Sequence, residues 1–136
     1  MLVRNVKEVP EISLKTVLHE GKPLDITGTS IRWLVHNRYG GPEYRHNFAL
    51  RHFTMKPGGK IPFHAHEYVE AVFVLEGSLI FKSETEAARV GPGDVIYTYT
   101  WEGHSLENPS KTETAVFTCT IDCPGDGSNC LEPEHP

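Results

Sequence analysis

No stretch of this sequence stays apolar for the roughly 20 residues that a membrane-spanning helix needs. Lys and Arg are not clustered anywhere, and the formal net charge is −5. Nucleic acid and anionic membranes are therefore repelled overall, and neither is expected as a partner. The opening residues, Met-Leu-Val-Arg-Asn-Val-Lys-Glu, carry charge early and lack the apolar run of a secretion signal. A cytoplasmic setting is expected on that ground. Internal repeats and low-complexity segments are lacking. Cysteine is scarce, with Cys119, Cys123 and Cys130 near the C-terminus. The two-residue gap of a zinc knuckle is absent, and an odd count in a reducing compartment argues against a disulfide framework. The expectation is a buried thiol at Cys119, alternating with Ala115, Phe117 and Ile121, plus two tail thiols.

Helical periodicity is also scarce. Apolar residues alternate or run in short blocks bounded by Gly, Pro and Asn, which is the pattern of an all-β domain. The chain has 136 residues, enough for one domain with a core of its own. Strands are expected over residues 30–36, 47–55, 61–66, 70–75, 78–82, 95–99 and 113–121. Pro57, Gly58 and Gly59 are expected to break the second from the third. On the second strand, Phe48, Leu50, His52 and Thr54 are expected to share one face. The tail from Pro124 has loop composition. The expected organisation is an N-terminal segment over residues 1–29, a barrel over 30–123 and a loose tail over 124–136.

Against this plain background, His64, His66 and Glu70 crowd into seven residues, and His104 follows a Gly-Pro-Gly-Asp turn. Three imidazoles and a carboxylate make a ligand set for a first-row transition metal. Two residues apart on a strand, His64 and His66 face the same way. Two histidines and a carboxylate with open positions favour Fe or Mn, and the third histidine is compatible with Ni, Zn or Cu. One divalent ion per chain is expected. His52 could line the same pocket. Arg45 and Arg51 could anchor an anionic substrate, although Arg51 has opposite parity to His52. Asn108 is expected to bond backbone near His104. Tyr68, Phe73, Phe81, Tyr97, Tyr99 and Trp101 are expected in the core, as strand aromatics usually are.

The spacing of Gly58, His64, His66, Glu70 and Gly77, then of Gly93, His104 and Asn108, resembles the two signature motifs of the cupin superfamily. Tyr99 and Trp101 stand where that family usually has Pro and Gly. The resemblance covers about residues 45 to 122. It implies a double-sheet jelly-roll barrel, the architecture of cupins, and the strand order rests on the resemblance alone. It also implies a metalloenzyme acting on a small molecule. The ligand set looks like that of cupin dioxygenases, so a dioxygenase-like oxidoreductase is the leading expectation. Cupin isomerases, decarboxylases and non-catalytic sugar-binding or sensor cupins are the alternatives. Small cupins are commonly dimeric, and edge strands need cover. A homodimer is expected, with Val3, Val6, Val9 and Ile12 of the N-terminal segment packed against a second barrel.

Overall fold

The computed structural model describes residues 1–132, among which eleven strands occur. They are β1 (Ile12–Ser13), β2 (Thr16–His19), β3 (Lys22–Asp25), β4 (Thr27–Val35), β5 (Phe48–His64), β6 (Glu70–Glu76), β7 (Leu79–Ser83), β8 (Ala87–Val90), β9 (Val95–Thr98), β10 (His104–Glu107) and β11 (Ala115–Asp122). Nine of them form one curled antiparallel sheet in the order β8-β7-β10-β5-β11-β6-β9, with β4 on β5 and β1 on β4. β2 and β3 make a separate hairpin. This is the all-β class that the alternating pattern called for, in the jelly-roll form that the cupin resemblance implied.

Strand parity decides what faces the interior. Along the first half of β5 the buried positions are Ala49, Arg51, Phe53 and Met55, each opposite a buried residue of β11: Ile121, Cys119, Phe117 and Ala115. Phe53 and Phe117 stack at 5.0 Å between ring centres. The expected face of Phe48, Leu50, His52 and Thr54 is thus the outer one. Apolar residues occupy both faces of this stretch, so composition could not separate them, and the pairing with β11 does. His52 points away from the interior and Arg51 into it. Arg45 remains on the surface.

β5 is not broken at Pro57-Gly58-Gly59. It bends there and continues to His64. Gly58 takes φ +74°, and a Cβ on Gly59 would stand 2.6 Å from Met55 Cγ, so the bend requires both glycines. The first half of β5 pairs with β11 and the second half with β10.

The N-terminal segment is committed to its own barrel. Ile12 pairs with Ile31, Val9 is buried, and Arg4 donates to the carbonyls of Trp33 and Leu34. Of its large apolar residues, Met1, Leu2, Val3 and Leu18 are exposed. The aromatics divide. Phe81 is core, whereas Phe73, Tyr97, Tyr99 and Trp101 are 44%, 62%, 59% and 63% exposed. No helix among the described residues is long and apolar enough to cross a membrane.

The tail departs most from expectation. Cys123 and Cys130 form a disulfide, Cys130 is fully buried in the core cluster, and Cys119 is the free cysteine. The Cys130 carbonyl accepts from Asn37 N, and Arg38 Nε donates to the Glu132 carbonyl. The tail is therefore fastened as far as Glu132; residues 133–136 lie outside the described residues. An odd count left one thiol over and did not prevent the other two from pairing. Disulfides persist in oxidising compartments, so this bond and the expected cytoplasmic setting pull in opposite directions. A Cys123→Ser, Cys130→Ser double variant is expected to lose about 2 kcal/mol of stability, the loop-closure value for so short a loop. Denaturant unfolding without reductant measures it. Equal midpoints, or three titratable thiols in the unfolded wild type, would remove the bond.

Candidate metal centre

Register brings the histidines together. His104 opens β10 and lies directly opposite His64, the last residue of β5. His66 follows in the turn beyond β5, and Glu70 opens β6. Ligand atoms of His64, His66 and His104 lie within 4.8 Å of one another. Glu70 stands beside them, with Oε1 2.7 Å from His104 Nε2 and Oε2 3.8 Å from His66 Nε2.

Each ring is held by a carbonyl two residues away. His64 Nδ1 bonds Pro62 O at 2.8 Å, His66 Nδ1 bonds Tyr68 O at 2.7 Å, and His104 Nδ1 bonds Glu102 O at 2.8 Å. A carbonyl only accepts, so each Nδ1 carries the proton and each Nε2 offers a lone pair to the centre. His104 Nε2 is fully buried without a hydrogen-bond partner, yet it stands 2.7 Å from Glu70 Oε1. Two acceptors held this close need a proton or a cation between them. The donor set therefore fits a divalent ion, and carbonyl anchoring of the far ring nitrogen is how metal-binding histidines are oriented.

Burial sets the protonation states. It lowers the pKa of His64 to about 4 and also lowers His66, with Glu70 pulling His66 partly back. Burial opposes charge on His104 as well, but the Glu70 carboxylate prevails and raises it. Glu70 is pushed up by burial and pulled down further by His104, His66 and Arg51, to about 2. It stays a carboxylate throughout the physiological range.

A cavity of about 180 Å³ opens beside the histidines. Phe53, Ile61, Val72, Leu106 and Phe117 form its apolar wall, and Leu14, Thr16, Val17 and Ile26 of the β1–β4 region roof it. Arg51, Glu70, Cys119 and Tyr68 complete the lining. Arg51 Nη2 donates to Cys119 Sγ at 2.9 Å, and the thiol donates to Glu70 Oε2 at 3.1 Å. His52 and Arg45 take no part. Asn108 bonds backbone as expected, donating to the carbonyls of Met55, Lys56 and Glu113. The sequence reading passed over the roof, because nothing in residues 14–26 signals a site. Cys119, expected chiefly as a packed thiol, also bridges Arg51 and Glu70. Its alternation with core residues was correct, but the partner across the strand pair was unseen.

Trp101 sits where cupins usually have Gly, and its backbone takes φ +62°, the left-handed region that Gly favours. Its N–H donates to the His66 carbonyl at 2.8 Å. The loop thus keeps a glycine-like turn despite the bulky side chain, and it ties the segments bearing His66 and His104.

The depressed His64 pKa has a consequence for the metal-free chain. In the unfolded state the ring protonates near 6.5, in the fold only near 4. The neutral ring's stability is fully present above pH 6.5 and is lost as pH falls towards 4. Between pH 7 and 4.5 the wild type is expected to lose about 2 kcal/mol more than His64→Gln. Parallel losses in denaturant unfolding would contradict this.

Residues 51–121 match the profile of the cupin domain family. The chain is 34% identical over 82 residues to an oxalate-binding protein of Thermotoga maritima, covering 58% of this chain and 68% of that protein. Among solved structures it resembles the polyketide cyclase RemF of Streptomyces resistomycificus, at TM-score 0.71 and 26% identity, covering 92% of this chain and 82% of that one. It also resembles the ectoine synthase of P. lautus, at TM-score 0.70 and 21% identity, covering 95% and 83%. With the family's profile spanning half the chain and the histidine cluster at its centre, the protein belongs to the cupin family.

Proposed function

We propose that this cupin is a metal-dependent enzyme acting on a small molecule held in the β-barrel cavity. The observation that carries the reading is the set of three carbonyl-anchored imidazoles whose Nε2 atoms converge beside that cavity. His64, His66 and His104 would hold the ion, with Glu70 as the carboxylate ligand. Fe or Mn is favoured by the mixed nitrogen and oxygen set. A bound ion supplies Lewis acidity or a site for O2 chemistry. The chain's own residues orient the ligand against the apolar wall, exclude bulk water beneath the roof of Leu14, Thr16, Val17 and Ile26, and hold the proton of each Nδ1 in place. A dioxygenase-like oxidoreductase is the reaction class we favour.

The second reading is a binding module for a small acid. The name of the Thermotoga maritima relative supports it.

The wild type is expected to hold one ion per chain after loading with Fe(II), Mn(II) or Zn(II). His64→Ala and His104→Ala are each expected to weaken binding at least tenfold. Undiminished metal in both variants would sink the site. Loaded protein is then screened for O2 consumption with catechols and keto-enols, and for turnover of sugar acids without O2. Ligand-induced melting shifts with no turnover would favour the binding module.

A further inference from the structure

The cavity contains a feature that ion binding does not require. Arg51 is 8% exposed, lines the cavity, and has a buried Nε without a hydrogen-bond partner. Its guanidinium lies 5.4 Å from the Trp33 ring centre and 5.2 Å from that of Phe53. Its neighbours give it little negative charge. Cys119 offers it a sulfur at 2.9 Å rather than a carboxylate. Glu70 Oε2 is 3.8 Å from Arg51 Nη2 and equally far from His66 Nε2, so one carboxylate is shared between guanidinium and imidazole cluster. Arg51 and Glu70 are the formally charged residues of the lining. Adding a divalent ion leaves an excess of positive charge in an enclosed, largely apolar space, which is costly unless an anion joins it. Size bounds that anion: a cavity of about 150 Å³ admits benzene.

Resting on the metal-centre reading above, we infer that the ligand is a small organic anion. Its carboxylate pairs with Arg51, and its other end reaches the imidazole cluster. A planar guanidinium suits this, because it presents several donors to one carboxylate.

Calorimetry on the Zn-loaded full chain tests it, with malonate as the probe and malonamide as its neutral counterpart. Malonate is expected to bind at least tenfold more tightly. Arg51→Met is expected to bring malonate down to the malonamide level while still holding one ion, with Arg51→Lys falling between. Equal affinities on the wild type, or malonate binding undiminished in Arg51→Met with its metal intact, would overturn the inference. If Arg51→Met does not fold, the wild-type ratio and Arg51→Lys decide. A wild type that takes up no ion sinks the metal-centre reading. One that takes up the ion but shows no preference for the anion sinks only the ligand class.

Discussion

Asn108 ties β5 to the β10–β11 loop at the point where β5 bends. Its side-chain amide donates to Met55, Lys56 and Glu113 carbonyls, and its carbonyl accepts from Ser110 N. Its own backbone bonds Gly58 and Gly59. This knot lets one strand serve two pairings, with β11 on one side of the bend and β10 on the other. Without the bend, β5 would run on in a single direction and His64 would not face His104. A buried amide stripped of such partners costs about 1–3 kcal/mol for each group left unpaired, so the bend is enforced by hydrogen bonding as well as by glycine.

The candidate metal centre follows from the same economy of backbone. Three imidazoles are oriented by three carbonyls of their own local chain, each two residues distant. No remote side chain is needed to fix a tautomer. Glu70 is the one negative group among them, and its charge is claimed from several directions: by His104, by His66, by the Cys119 thiol and by Arg51. Such a fully engaged carboxylate holds its position, and it keeps a cationic guanidinium close to an ion site without either being expelled from the interior.

The all-β class and the cluster of candidate ligands were legible because both are local. Alternation marks strands, and His64, His66 and Glu70 sit within one turn and its flanks. What could not be read was relational. The parity of β5 was ambiguous while Phe48, Leu50, Phe53 and Met55 offered apolar residues on both faces. Only its register with Ala115, Phe117, Cys119 and Ile121 assigns Arg51 to the interior. The short strands β8 and β10 carry too few residues for a period to show. Pro57-Gly58-Gly59 has the composition of a break, and whether such a triplet ends a strand or bends it depends on a partner such as Asn108. The Cys123–Cys130 bond likewise depends on a meeting in space that spacing does not announce.

The roof of the cavity comes from residues 14–26, ahead of the stretch that carries the family's profile. Part of the chamber's shape is therefore encoded ahead of the stretch that carries the candidate ion ligands, while its apolar wall and Arg51 lie within that stretch. Substitutions in the hairpin of β2 and β3 can reshape the chamber while leaving the imidazoles, their carbonyl anchors and the bend of β5 untouched. Relatives with the same ligand set but a different N-terminal hairpin should then accept different molecules, and grafting that hairpin alone is a route to a new selectivity.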